Sequence, residues 1–343
     1  MSRYIRAGFD VIRNGVRLTE LQALKESTLK MNSSGEIKTV LSGSFKANSK
    51  VNFLSDWIRP WIEINGKIKY KGLFSATTVE EDYNGQYDLI KIEAYDKAII
   101  LKQNAIEQKI YFKSGLKYLD AIRTMLNIND INEWIIEETD KTIQNDREDW
   151  EIGTSYLTII NELLSEINYN SIWFNDEGLP VIAKKNNPTV DDIDFSYRAD
   201  RFSLIESECT KETDAYDSYN VFIAMVDNPD YEKPLVAIAT NEDPSSLLSI
   251  QSRGRRIVAP VFKLDNIASQ NELQDYVEKI RNESMQSTEI YKIKTAINPE
   301  HTVLNSIYLD HPKVRGLFQE EEWEITLDSS DTMTHTIKKV REI

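Results

Sequence analysis

The amino-acid sequence predicts a β-rich α+β chain in which two similar small β-barrel domains flank an α+β insert. Three observations lead there. Sixteen Tyr, eleven Phe and six Trp among 343 residues suit a pleated, half-buried surface. Asn-Gly pairs flanked by alternating apolar residues stand at 14–15, 65–66 and 84–85, the strongest short-range hairpin signal. Helical apolar spacing is confined to the middle of the chain and one later segment. At roughly 100–200 residues per domain, the length suits two or three domains. Their expected limits are 1–102 for the first barrel, 103–213 for the insert and 214–343 for the second barrel, with a helix embedded near 269–285.

In the first segment, Tyr4–Ile12 and Val16–Leu18 read as strands around Asn14-Gly15. LQALKESTLKM is ambiguous between helix and strand, and EIKTVLSGSFKA alternates imperfectly. Around Asn65-Gly66, Ile62, Ile64, Ile68 and Tyr70 are expected to share packing faces; Leu89, Ile90, Ile92, Ala94 and Tyr95 follow Asn84-Gly85. The middle segment changes character. Leu116, Leu119, Ile122 and Leu126 keep helical spacing behind Ser114, a candidate N-cap. Leu157, Ile160, Leu164 and Ile167 form a second stripe. SIWFNDEGLPVIAKK is a hairpin turning at Asp176-Glu177-Gly178, and DDIDFSYRADR reads as a loop or edge whose carboxylates face solvent. In the last segment Ser269 and Glu272 spell a capping box ahead of Leu273, Tyr276, Val277 and Ile280, worth about 1 kcal/mol for the cap. Strands are expected over TEIYKIKTAI, NSIYLDHPKVRGLF and EEEWEITL, and again near Ile337 and Val340, with a turn at Ser329-Ser330-Asp331.

The two β-rich segments echo one another. Lys69–Phe74 reads KYKGLF and Lys313–Phe318 reads KVRGLF. Each hexamer follows an apolar strand and precedes an alternating strand, a turn and a closing strand. Gly72 and Gly316 suit a bulge or a sharp bend at a barrel corner. The same order of elements around a shared hexamer predicts two copies of one architecture.

The run from Tyr219 to Glu300 reads YNVFIAMV, KPLVAIATNEDPSSLLSIQSRGRRIVAPV, SQNELQDYVEKIRNESMQS and TEIYKIKTAINPE. It resembles the C-terminal half of the central hub proteins of phage-type contractile tails, the late-control D-like group and its Gram-positive prophage relatives. The strand order through KGLF and IKIEAYDKA resembles the first barrel of the same family. That resemblance implies a structural baseplate hub in a virion or tail-like particle, made in the bacterial cytoplasm and released by lysis. It implies a homotrimer that adapts a sixfold tail tube protein to a threefold central spike protein, alongside other baseplate components. Two related barrels in each of three chains would present six similar units. Two other classes stand beside this one: a tail-associated peptidoglycan hydrolase and a receptor-binding tail-tip protein.

Composition agrees with a structural role. With 56 acidic and 41 basic residues the net charge is −15, whereas a nucleic-acid binder draws affinity from neutralising phosphates. Arg253, Arg255 and Arg256 read as a solvated corner or subunit contact, so no specific nucleic-acid partner is expected. No apolar run approaches the ~20 residues of a membrane span, and the N-terminus lacks a secretory h-region; no membrane partner is expected. The lone Cys209 cannot form an internal disulfide and reads as a packed or idle thiol. No phosphate-binding glycine loop, nucleophile elbow or metal-ligand spacing is present. His301, His311 and His335 are expected on the surface or at barrel edges. Glu137, Glu138 and Asp140 near Trp134 are the carboxylates placed best for acid–base work, and are read as background. No catalytic, cofactor-binding or metal-binding residue is therefore assigned, and no cofactor is expected.

Overall fold

The structure is a computed structural model that describes residues 3–24, 27–83, 88–199, 205–212, 218–226, 234–244, 246–264, 269–285, 289–327 and 332–340. The first β-rich region holds β1 (Ile5–Arg13), β2 (Val16–Leu21), β3 (Thr28–Asn32), β4 (Thr39–Lys46), β5 (Trp57–Ile64), β6 (Lys67–Tyr70), β7 (Phe74–Tyr83) and β8 (Asp88–Tyr95). Asn14 and Gly15 have φ of 50° and 77°, and Asn65 and Gly66 have 50° and 84°. Two successive left-handed residues are what a two-residue hairpin requires, and Asn-Gly adopts them most readily. The turn expected at Asn84-Gly85 lies outside the described residues. The ambiguous LQALKESTLKM resolves in favour of a strand: Leu29 and Met31 alternate inward with no exposure, in β3.

The insert contains α1 (Ala98–Gln103), α2 (Tyr118–Ile128), β9 (Ile135–Ile136), α3 (Tyr156–Glu166), β10 (Trp173–Phe174) and β11 (Pro180–Ile182). Both expected helical stripes are buried: Leu119, Ile122 and Leu126 pack with Leu157, Ile160 and Leu164 in one core. The expected cap Ser114 instead donates its hydroxyl to the Gln144 carbonyl, and Lys117 occupies the N-cap position of α2. Ser155 caps α3, accepting from the Thr158 amide at 3.1 Å.

The second β-rich region runs through β12 (Phe195–Arg198), β13 (Ile205–Glu212), β14 (Val221–Val226), β15 (Leu235–Thr240), α4 (Ile250–Arg253), β16 (Phe262–Leu264), α5 (Gln270–Met285), β17 (Ile290–Ala296), β18 (Ser306–His311), β19 (Val314–Thr326) and β20 (Thr332–Lys339). β12 and β13, which fall between 103 and 213, pair with β18 and β17 and so belong to this sheet. Ser269 caps α5, accepting from the Glu272 amide at 3.2 Å. α5 covers a three-stranded sheet of β15, β14 and β16. The turn expected at Ser329-Ser330-Asp331 lies outside the described residues.

The other described strands of the two regions join into one large, mostly antiparallel sheet of fourteen strands, ordered β13-β17-β20-β19-β3-β4-β8-β7-β5-β1-β2 along its main path. This path is open, and no closed barrel is present among the described strands. β19 makes the join. Its first part pairs with β18, and its last part, Glu322–Thr326, pairs with β3 of the other region.

Pairing order reveals an internal repeat. The first region reads β1-β5-β7-β8-β4-β3, and the second reads β12-β18-β19-β20-β17-β13. Corresponding strands occur in the same chain order. The KYKGLF and KVRGLF hexamers fall on the same arm of the same hairpin, with Gly72 at φ 74° and Gly316 at φ 143°. Phe74 and Phe318, two residues on, are both buried. Both arms then bulge at the same distance, between Ala76 and Thr78 in β7 and between Glu320 and Glu322 in β19. The copies also differ. The first arm breaks at residues 71–73 into β6 and β7, whereas β19 is continuous. β1 joins β5 antiparallel, whereas β12 joins β18 parallel.

Candidate functional site

The break between β6 and β7 sends Lys71 inward, where three parts of the chain meet. Its ammonium is almost fully buried and lies 2.8 Å from Asp176 Oδ1, in the β10–β11 turn. It also donates to the carbonyls of Pro299 and His301, both at 2.9 Å, and sits 5.4 Å from the Trp323 ring centroid. One side chain thus ties the first repeat to the insert and to the second repeat. Burial pushes the Lys71 ammonium below its ordinary pKa, against the opposing pull of Asp176. Three bonds to fixed acceptors are what a buried ammonium needs to keep its charge.

Behind that tie lies a polar cluster inside the second repeat. Glu320, His301 and His335 are essentially without solvent exposure. Glu320 Oε2 meets His301 Nδ1 at 2.7 Å, and Glu320 Oε1 bonds His335 Nδ1. The far ring nitrogens are also partnered. His301 Nε2 is 2.7 Å from the Tyr197 hydroxyl, and His335 Nε2 is 2.7 Å from Thr295 Oγ1. The Phe195 ring stacks on His301 with centroids 3.9 Å apart. Burial drives the titrations apart. The Glu320 carboxyl rises well above its ordinary value. His301 falls to about 2, through burial and then the neighbouring His335 and Lys71, and His335 falls to about 3 through burial.

The repeat shows how unusual this cluster is. The matching bulges and registers place Glu320 where the first repeat has Ala76, His335 where it has Ile92, and Thr295 where it has Phe45. One copy of the architecture fills these positions with an apolar core, and the other with a hydrogen-bonded network.

Among the described residues, His301, Glu320 and His335 are the grouping with metal-ligand chemistry. Their ligand atoms lie within 4.8 Å of one another, but each ring's Nδ1 is committed to a carboxylate oxygen of Glu320. A zinc ion with bonds of about 2.0–2.2 Å would have to replace both of those hydrogen bonds.

No family model matches this sequence, and no curated protein is similar to it. Solved structures are similar over essentially the whole length. A tail protein from Neisseria meningitidis MC58 aligns at TM-score 0.71 and 13% identity, covering 97% of each chain. The 43 kDa tail protein of prophage MuSo2 from Shewanella oneidensis aligns at TM-score 0.70 and 8% identity, covering 98% of each. Prophage tail protein gp18 from Listeria monocytogenes EGD-e aligns at 0.60 and 10%, covering 98% of this chain and 95% of that one. The chain has the fold of phage tail proteins.

Within this tail-protein fold the residues singled out from sequence fall apart rather than together. Glu137 pairs with Lys184 at 2.8 Å, Asp140 with Lys117 at 2.7 Å, and Glu138 with Arg123. Trp134 packs against the insert core. Three carboxylates held by three separate lysine and arginine partners on the surface are ordinary ion pairs. The histidine expectation is overturned: His301, His335 and also His311 are buried. His311 lies at the end of β18, with Nε2 3.1 Å from the Ser207 carbonyl. Alternation carried part of the missed signal, since Met333, His335 and Ile337 share one inward face, as do Phe318 and Glu320. Nothing local marks His301, which sits in the loop after Asn298-Pro299. Ile68 and Tyr70 are also corrected: 53% and 37% exposed, they lie outside the core that Ile62 joins. Cys209 is a free, half-buried thiol on β13, pushed up in pKa by burial.

Proposed function

We propose that this chain is the structural hub of a tail baseplate in a contractile phage or phage-tail-like particle. Three copies adapt a sixfold tail tube to a threefold central spike. The observation that carries this reading is the repeated strand order, in a chain whose fold follows tail proteins end to end. A trimer built from a chain with two like units presents six like units, which removes a symmetry mismatch; closed cyclic assembly is the common outcome for such chains. Two cores lie along the repeats: one around Phe9, Leu41 and Phe74 that also takes in Trp323, Ile325 and Met333 of the second repeat, and one around Tyr291, Phe318 and Ile337. The repeated strand order supports two barrel-like units, the first in region 1–102 and the second running from β12 to β20, with the insert between them.

The role is mechanical rather than catalytic. The Lys71 tie gives the two units one fixed relation, which an adapter between stacked rings requires. The partners are the tube protein, the spike protein and other baseplate components, and the location is the tail of a virion or tail-like particle. Light scattering and electron microscopy of the purified chain, alone and mixed with its baseplate neighbours, test the reading. A threefold ring with six similar lobes is expected. A monomer under both conditions, or a ring of another symmetry, overturns it. A clearing band on a peptidoglycan gel would favour a hydrolase instead.

A further inference from the structure

We propose that His301, Glu320 and His335 form a proton-sharing clamp: the chain folds with one extra proton, carried on Glu320, and the cluster beside Lys71 stabilises the fold most near neutral pH. The hydrogen bonds offer that proton one self-consistent place. Thr295 Oγ1 has a single hydrogen and can give it to the Ala296 carbonyl at 3.1 Å; the 2.7 Å contact with His335 Nε2 then uses a hydrogen from the ring. With its hydrogen on Nε2, His335 presents a bare Nδ1, which must accept. The group facing it is Glu320 Oε1, so Glu320 is a carboxylic acid that donates there. Glu320 Oε2 accepts from His301 Nδ1–H, and His301 Nε2 accepts from the Tyr197 hydroxyl. Every donor then meets an acceptor and no member carries charge, the arrangement a buried network requires.

The surroundings favour the uncharged form. Tyr197 and Phe195 come from β12, Thr295 from β17, Glu320 from β19 and His335 from β20. Lys71 faces His301 and Glu320 from the β6–β7 break, with its charge committed to Asp176, and Lys69 and Glu300 lie beyond it. Burial disfavours ionised Glu320 most; the Lys71 charge pulls the other way, and Asp194, bonded to Asn305 and the Ser306 amide, adds a negative charge that again disfavours it. Beside His301 a cavity of about 30 Å³, bordered by Lys71, Asp176 and Trp323, has room for a water molecule. The first repeat packs Ala76, Ile92 and Phe45 at the matching positions, so the strand architecture itself does not call for the polar groups.

The sign follows from proton linkage. A carboxyl whose folded pKa is raised contributes stability that is present below its unfolded value and is lost as pH rises through the folded value. Histidines whose folded pKa is lowered contribute stability that is present above about 6.5 and is lost as pH falls below it. The cluster's contribution therefore peaks near neutrality. Above it the folding constant drops by up to about tenfold per pH unit, for the one proton taken up, until the folded carboxyl ionises.

The test compares urea unfolding of the full chain and its Glu320→Gln variant between pH 5.5 and 9. A glutamine amide donates to His335 Nδ1 and accepts from His301 Nδ1–H, the same bonds with no titrating proton. The histidines titrate in both chains, so the ratio of wild-type to variant folding constants is expected to fall from the acid end of this range, by up to about tenfold per pH unit, until the folded Glu320 ionises. Asp96, a buried carboxyl raised to about 7, bends both curves equally and cancels in the ratio. A flat ratio overturns the proposal. Nitrogen-15 spectra of the histidines in the wild-type chain give an independent reading. The hydrogen is expected on Nδ1 in His301 and on Nε2 in His335. Hydrogens on Nδ1 of both rings, or one equivalent of a transition metal retained by the purified chain, would equally overturn it.

Discussion

Replacing Lys71 by methionine tests whether one buried ammonium sets the relation between the repeats. Methionine keeps most of the stem's volume, so the change removes charge and hydrogen bonds rather than opening a large cavity. It strands the Asp176 carboxylate, which is left with Lys69 at 3.5 Å as its cation, and deprives the Pro299 and His301 carbonyls of a donor. Breaking a buried ion pair from one side costs about 3–5 kcal/mol. Lys69 is one-third exposed and offsets little of this, because solvent screens such pairs. The expected loss is thus about 3–4 kcal/mol in urea unfolding, a folding constant lowered a few hundredfold. Adding Asp176→Asn to Lys71→Met should recover about 1–2 kcal/mol, since the stranded charge is then gone. Hydrogen exchange localises the effect. The Gly72 amide, bonded to the Asp176 carbonyl at 3.1 Å, and the Lys71 amide, bonded to the Pro60 carbonyl at 2.9 Å, should exchange faster while the α3 amides keep their rates. A loss below about 1 kcal/mol, or no recovery in the double variant, would refute the assignment of Lys71 as the tie.

Three further outcomes follow from the packing. Phe318→Ala should cost about 3–5 kcal/mol, because Phe318 is fully buried edge-to-face against Tyr291; Phe74→Ala should cost a similar amount if the repeats are equivalent. Thermal unfolding checks both. Gly8→Ala brings a Cβ to 2.2 Å from Trp61 Cζ2, so the indole must move; a loss of about 1–3 kcal/mol and an altered Trp fluorescence spectrum are expected. Asp56→Asn acts through charge. Arg13 grips Asp56 through Nε and Nη2, both at 2.7 Å, and this bond holds the carboxyl below its ordinary range. The contribution is present above the unfolded value of about 3.9 and fades as pH falls through the folded one. The variant should therefore be less stable than the parent at pH 7, and the gap should narrow towards pH 3.

Legibility differed from one residue to the next. Asn14-Gly15 and Asn65-Gly66 were readable because two left-handed residues in succession narrow the choice of side chain. Leu157, Ile160 and Leu164 were readable because a three-to-four-residue stripe survives in any context. The segment around Leu29 and Met31 was not, since its strand state depends on β19, almost 300 residues later. Ser114 illustrates the opposite error. It is a good cap residue in the right neighbourhood, but it bonds the Gln144 carbonyl across the fold instead.

From its sequence alone the chain declared its strand-rich class, most of its hairpins, two of the three insert helices and, through a six-residue echo, an internal repeat. Those features rest on local preferences, which act between near neighbours. Folding in three dimensions decided that β19 fuses the two regions into one sheet, that Lys71 lands on the insert and the second repeat, and that two histidines close on Glu320. Each of these joins residues far apart in the chain, and burial rather than residue type gives the joined groups their charge states.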